Sequence, residues 1–347
     1  MASDTTRYTN KVFMTGALPL LKTIANDVPE LKKKFEGVNA VYQVSAMANA
    51  QDKEAIHFII EDGEWTVKLG EYLGQQKIDA ELQFSSMEKM NAFFKGNMSA
   101  LPKMKIKSFG KFIKFMMVLL KMSSLLGIKE PPEDEQLCLL LTKLYFYLLS
   151  SGISQLNKMG HPAIRDWTSK SPDRVYQWAV EGHPECTAYL RIKAGKSRAG
   201  RGEYKRSKPF FCMKFDTAQH ALMILLGTGD MLQMTKDKQL IMEGAPEFGA
   251  IVRCGVNKAL FLGIFLNGGQ VALVIVLLGV AGVDHFLNKL LQPFLAVRRF
   301  QQMHLINIRY AVLVAFAAGN ADQVLVFVHI KGDGIKCFFH IQKSPFP

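Results

Sequence analysis

The chain is 347 residues long, more than one typical domain of about 100–200 residues, and its 49% hydrophobic and 21% charged residues exclude disorder over most of its length. Its 43 basic against 30 acidic residues give a net charge of +13, so anionic partners are expected. Five cysteines without a C-x-x-C pair exclude a disulfide framework and a tetrahedral zinc site, and point to a reducing, cytoplasmic setting.

In chain order, the apolar stretch 12–21 is flanked by Asp4 and Lys22 and lacks an A-x-A cleavage site, so it is not read as a signal peptide. The pattern predicts a helix over 20–35 and strands at 41–45, 56–60, 65–69 and 78–84, with Asp62-Gly63 as a hairpin turn. Ser85 or Ser86 caps a helix on which Met87, Met90 and Phe94 share one face, and Gly96 closes it. Lys103-Met104-Lys105-Ile106-Lys107 alternates strictly, as a strand with one wet side should. Over 109–126 the residues Phe112, Phe115, Met116, Leu119 and Met122 recur at helical spacing, with Lys111, Lys114 and Lys121 among them. The polar run KEPPEDEQ at 129–136 reads as a linker.

The pattern then begins again. A helix over 137–159 precedes strands at 175–180 and 188–193, residues 209–215 lead into a helix from Thr217, 238–242 mirror the basic strand, and 248–265 mirror the closing helix. Val41-Tyr42-Gln43 recurs as Val175-Tyr176-Gln177, while FSSMEKMNAFFKG (Phe84 to Gly96) is matched by FDTAQHALMILLG (Phe215 to Gly227). The expected organisation is a domain at 1–128, a linker at 129–136, a second domain at 137–267 and an apolar extension at 268–347.

In order and texture both units resemble the sterol carrier protein type 2 family. The resemblance rests on the hairpin IIEDGEWTVKL, the capped helix FSSMEKMNAFFKG, the strand MKIKS and the apolar helix that follows. It covers 17–127 once and 137–266 again. The second unit departs where a basic, glycine-containing loop at 194–208 stands in place of the hairpin, and where 228–237 is longer. The resemblance implies an α+β fold of two tandem sterol-carrier-like domains, each a twisted, mostly antiparallel sheet covered by helices around a hydrophobic tunnel. It also implies non-catalytic binding and transfer of a fatty acid, fatty acyl-coenzyme A, sterol or phospholipid. Sheltering a sixteen-carbon chain from water must offset roughly 13 kcal/mol, at about 0.8 kcal/mol per CH₂. A deep, adaptable apolar lining is therefore required, and the chain has 17 Met and 24 Phe. The candidate lining of the first unit is Met87, Met90, Phe94, Met98, Met104, Ile106, Phe109, Phe112, Met116 and Leu119. That of the second is Met213, Leu222, Leu225, Leu226, Ile241, Phe248 and Ile251. Met and Phe at helical spacing equally build an ordinary core, which is the plain alternative.

Six lysines and no acid lie between Lys103 and Lys121. Lys103, Lys105, Lys107, Lys111 and Lys114 are the candidate contacts with an anionic membrane surface, a solvated face being the alternative. The stretch from Arg191 to Lys208 has eight basic residues, but no zinc finger, helix-turn-helix or stacking platform accompanies it, so nucleic acid is not an expected partner. No G-x-S-x-G elbow, phosphate-cradling loop, dinucleotide fingerprint or H-E-x-x-H motif occurs, so neither catalysis nor a cofactor or metal is expected. Residues 259–283 carry no charge over twenty-five positions, long enough to span a bilayer, although Asn267-Gly268-Gly269-Gln270 interrupts them. The apolar run 310–330 carries Asn320 and Asp322 and looks less like a span, and nothing in the extension continues the repeat. A rival reading is a membrane-associated scaffold that presents isoprenoid or acyl lipids to enzymes.

Overall fold

The structure, a computed structural model, describes residues 4–49, 51–95, 97 and 99–244, together with strand segments 310–315, 324–331 and 334–337. It is α+β. The chain opens with α1 (Asp4–Val12), which runs through a π-helical turn (Phe13–Ala17) towards α2 (Leu20–Asp27) and α3 (Pro29–Phe35). The single helix expected over 20–35 is two. Pro29 disfavours the helical region for the residue before it, and Val28 accordingly sits at φ −89°, ψ 110°, extended between the two.

Strands β1 (Ala40–Met47), β2 (Lys53–Glu61), β3 (Glu64–Leu69), β4 (Ala80–Phe84) and β5 (Lys103–Ile106) form a mixed sheet in the order β3-β2-β1-β4-β5. β1 runs antiparallel to β2 and parallel to β4. The parallel step requires the chain to cross from one edge strand back past the centre, and residues 70–79 make that crossing. Between β4 and β5 lies α4 (Met87–Phe94), capped by Ser86, whose hydroxyl accepts from Lys89 N. After β5 comes α5 (Phe109–Leu126), with the bounds its periodicity predicts.

Asp134 caps α6 (Glu135–Lys158), the longest helix described, so the expected linker gives up its last two residues to the helix. There follow α7 (Pro162–Lys170), β6 (Arg174–Val180), β7 (His183–Lys193), β8 (Lys196–Arg201), β9 (Phe211–Phe215), α8 (Ala218–Leu226), α9 (Met231–Lys236) and β10 (Leu240–Gly244). The second sheet has the order β10-β9-β6-β7-β8, with β6 antiparallel to β7 and parallel to β9. Read from β8, it repeats the connectivity of the first. The loop expected at 194–208 is corrected: Lys196–Arg201 forms an edge strand, and Ala194-Gly195 is its two-residue turn, with φ 48° and 71°. Asp62-Gly63 turns the first hairpin in the same way, at φ 51° and 83°. Two positive φ values make the turn that matches strand twist, and alanine at 194 conceals it in the sequence because Asn or Asp is the usual signal.

Both five-stranded sheets belong to one compact unit. α6 ties them together. It packs on β7, β8 and α8 of the second half and on α1, α2 and the π-helical turn of the first. At Gly16 a side chain would meet Leu148 Cδ1 and Ser151 Oγ at 3.3 Å, so the turn lies directly on the helix. Lys143 of α6 pairs with Asp27 of α2 at 2.7 Å. By length and composition α6 would be able to cross a membrane, but 78% of its apolar window is buried in the protein. A second unit contains β11 (Tyr310–Ala315), β12 (Val324–Lys331) and β13 (Gly334–Cys337), an antiparallel sheet in that order. The run expected at 310–330 thus contributes two strands. Residues 248–265 and 259–283 lie outside the described residues.

Candidate functional site

Alternation along the first sheet puts Tyr42 and Val44 of β1, Phe58 and Ile60 of β2, Ala80, Leu82 and Phe84 of β4, and Met104 and Ile106 of β5 on one face. Helix α5 lays Phe112, Phe115, Met116 and Leu119 towards the interior, all buried. Tyr42 stacks on Phe115 with ring centroids 4.5 Å apart, and its hydroxyl donates to Lys111 O at 2.9 Å. Trp65 meets Phe35 and Phe58 edge-on. Burial raises the Tyr42 phenol far above its ordinary range, with the Asp79 carboxylate adding to the shift. Around α4, Met87 and Met90 are buried, and Phe94, half-buried, packs against Phe13 at 5.2 Å.

The interior is not closed everywhere. Met104 and Ile106 face the helices, opposite Leu82 and Ala80, which are fully buried, yet both are only half-buried themselves. At the start of α5 Phe109 is 37% exposed. The apolar interior therefore reaches solvent along β5, between that strand and the start of α5. On the far wall Asn10 of α1 and Asn91 of α4 are buried. Asn10 Nδ2 donates to Met90 Sδ at 3.7 Å and Asn91 Nδ2 to Thr6 O at 2.9 Å, while neither amide oxygen has a donor among the described residues. Buried acceptors left this way are uncommon, and a hydroxyl-bearing guest is one means of satisfying them.

The second half repeats the wall with Tyr176, Trp178, Met213, Phe215, Leu222 and Leu225 buried and Leu226 half-buried. Ile241 does not belong to it. Its register partner is Lys214, which puts it on the opposite face, 43% exposed, and the apolar residues of β10 that face the helices are Leu240 and Met242. Lys238, expected as the first outward-facing residue of the strand, lies before it at φ 60°, so the alternation does not run through it and Ile241 falls on the outer face. Met98, Phe248 and Ile251 lie outside the described residues.

The other face of the first sheet holds a feature that the apolar periodicity did not reveal. Gln43, Ser45, His57 and Glu81 are buried beneath the 70–79 crossing. Gln43 Oε1 accepts from Tyr72 N at 2.8 Å and His57 Nδ1 lies 2.8 Å from Gly70 O, so the crossing is pinned at two points. Glu81 Oε1 accepts from Gln43 Nε2 at 2.9 Å and Ser45 Oγ at 2.7 Å; Lys105 Nζ stands 3.1 Å from Oε2 and Lys53 Nζ 3.5 Å from Oε1. Burial opposes charge on Glu81, but the hydrogen bonds from Ser45, Gln43 and Lys105 and the nearby Lys53 outweigh it and hold the carboxyl below its usual range. In the second half Gln177 Oε1 accepts from Tyr204 N at 3.1 Å, and Cys212 takes the place of Glu81, 3.9 Å from Gln177 Nε2. The repeated Val-Tyr-Gln thus marks one residue that stacks inward and one that holds the crossing chain. A charged Glu81 between Ala80 and Leu82 was the remaining visible signal.

The five lysines separate as well. Lys105 engages Glu81, Lys111 lies 3.1 Å from Asp79, and Lys114 donates to Lys34 O at 2.7 Å, whereas Lys103 and Lys107 are exposed.

No family model matches the chain, and no curated protein does. Among solved structures, a conserved hypothetical protein of Thermus thermophilus, described as possibly a sterol carrier protein, aligns at 14% identity with a TM-score of 0.24, covering 35% of this chain and 89% of its own. The stereoselective inverting sec-alkylsulfatase Pisa1 of Pseudomonas sp. aligns at 14% identity with a TM-score of 0.22, covering 47% of this chain and 29% of its own. Likenesses this slight carry no argument about activity.

Proposed function

We propose that the chain is an intracellular, non-catalytic lipid carrier with two sterol-carrier-like halves, and that it holds a fatty acid, fatty acyl-coenzyme A, sterol or phospholipid between sheet and helices. The observation that carries the reading is the open edge at β5. An apolar interior walled by Met87, Met90, Phe112 and Met116 meets solvent through Met104, Ile106 and Phe109. Apolar side chains at an edge strand ordinarily invite aggregation, so their presence beside a methionine-rich wall has a use if a guest enters there. Unbranched methionines move aside at low cost, which lets a filled interior admit a chain worth roughly 13 kcal/mol of transfer free energy. Exposed Lys103 and Lys107 flank the same edge and favour peripheral contact with an anionic bilayer, from which a lipid is withdrawn.

The test is to delipidate the protein and titrate it with a fluorescent fatty acid, with native mass spectrometry of the purified chain to identify any retained ligand. Saturable binding at one or two sites and transfer between vesicles are expected. No saturable binding refutes the reading, and co-purification with an enzyme complex without transfer replaces it with the scaffold.

A further inference from the structure

We propose that the outer face of the β7–β8 hairpin, with the 202–210 crossing above it, is a docking surface for anionic phospholipid bilayers. The proposal rests on the lipid-carrier reading and adds where the carrier meets its membrane.

The two hairpins can be aligned residue by residue, because Gln43 pairs with His57 and His57 with Lys68, while Gln177 pairs with Tyr189 and Tyr189 with Gly200. At matching positions Ile59 faces Thr66 in the first hairpin and Arg191 faces Arg198 in the second. One step nearer the turn, Glu61 faces Glu64 in the first and Lys193 faces Lys196 in the second. The second hairpin has thus acquired two directly opposed cation pairs on one face, one of them where its counterpart carries two acids. Like charges directly opposite destabilise a sheet, so this arrangement costs the isolated protein stability.

Nothing among the described residues relieves that cost. Elsewhere Lys53, Lys105, Lys111, Lys143 and Lys214 each sit against a carboxylate. Arg191, Lys193, Lys196 and Arg198 form no ion pair among the described residues, and all but half-buried Arg191 are exposed. The nearby Asp173 carboxylate accepts from Ala194 N at 2.9 Å, bracing the turn. The crossing adds exposed Lys205, Arg206 and Lys208 on the same side, since Tyr204 N is bound to outward-facing Gln177, and Glu203 is the one acid between 191 and 208. An extended anionic surface would neutralise all seven cations at once.

A bilayer fits this face better than nucleic acid. Single-stranded recognition needs free aromatic platforms. The rings here are already engaged: Tyr189 and Tyr204 lie edge to face at 5.1 Å, Tyr189 fills the space a side chain at Gly200 would occupy, and Phe210 is covered by the Arg174 guanidinium at 3.5 Å. What remains available is charge on a ribbon, which reads a field and not a base.

The full chain is compared with the double variant Lys196→Glu, Arg198→Glu, and with Lys32→Glu, Lys33→Glu, two exposed positions of α3, as a control of equal charge change. The first variant turns both repulsive cross-strand pairs into attractive ones, so its melting temperature should equal or exceed that of the wild type. Co-sedimentation is measured with phosphatidylcholine vesicles with and without phosphatidylserine, and with polyuridylate. Each cation near such a surface contributes about fivefold, so the hairpin variant should lose at least tenfold in affinity for phosphatidylserine vesicles while the control loses less. Wild-type binding should also weaken with added salt. Three results overturn the proposal: hairpin-variant binding equal to wild type, wild-type indifference to phosphatidylserine, or polyuridylate binding that phosphatidylserine vesicles do not displace. Fluorescent fatty-acid uptake is followed separately in solution. Docking without uptake would refute the carrier reading alone, and uptake without docking would refute this one alone.

Discussion

Glu81→Gln isolates the buried ionic cluster beneath the 70–79 crossing. Glu81 is 4% exposed, and its carboxylate takes hydrogen bonds from Ser45, Gln43 and Lys105 with Lys53 close by. A hydrogen bond to a charged group contributes about 1.5–3 kcal/mol and a neutral one about 0.5–1.5, so changing the two buried bonds to neutral ones costs about 2 kcal/mol. Lys105 is half exposed, and its lost pairing adds less than about 1 kcal/mol after solvent screening. The variant should be about 2–3 kcal/mol less stable at pH 7, in urea titrations followed by the fluorescence of buried Trp65 and Trp178. The folded carboxyl titrates below its unfolded value of about 4.3. Its stabilisation is therefore fully present above that value and disappears as pH falls through the lower, folded one. The gap between wild type and Glu81→Gln should hold from pH 7 to about pH 5 and narrow markedly by about pH 3. A gap of the same size at pH 3 would show that ionised Glu81 is not its source.

The same wall and cluster yield three further expectations. Tyr42→Phe removes the bond to Lys111 O while keeping the ring stacked on Phe115, and should cost about 1 kcal/mol in the same titrations; no change would place that hydroxyl's balance in solvent. Met104→Glu puts a charge on the half-buried apolar edge, so the melting temperature should move little while fluorescent fatty-acid affinity falls at least tenfold; unchanged affinity would move the entrance elsewhere. Burial raises Cys212 to about 11 and Cys186 to about 12, leaving a thiolate fraction at pH 8 of about one in a thousand or less. Both should escape iodoacetamide in the native state and react in urea, as peptide mass mapping would show; ready native labelling would contradict their burial.

Much of the architecture was legible because it is written in local terms. The caps at Ser86 and Thr217, the Asp62-Gly63 turn and the apolar stripe of α5 each depend on residues within a few positions of one another. The Val-Tyr-Gln segments fall on β1 and β6, the central strands of two sheets that share one connectivity. Other features are decided over longer distances. Whether Ala194-Gly195 turns a hairpin depends on β8 finding β7, and the basic composition of that strand hid its extended form. Whether Ile241 faces inward is set by its pairing with β9, since a shift of one residue exchanges the faces.

Periodicity, capping and turn chemistry act between near neighbours, so the sequence by itself determined elements such as α5 and the β2–β3 hairpin, but not the basic strand β8 or the break between α2 and α3. Only the tertiary structure decided which charges are spent inside the protein. Lys105 and Lys111 look like free surface cations until β4 and its approach bring Glu81 and Asp79 beside them, while Arg191 and Arg198 become neighbours only when the hairpin closes. The physical reason is that an ion pair or a repulsion falls off over a few ångströms, and those distances are set by sheet register rather than by separation along the chain.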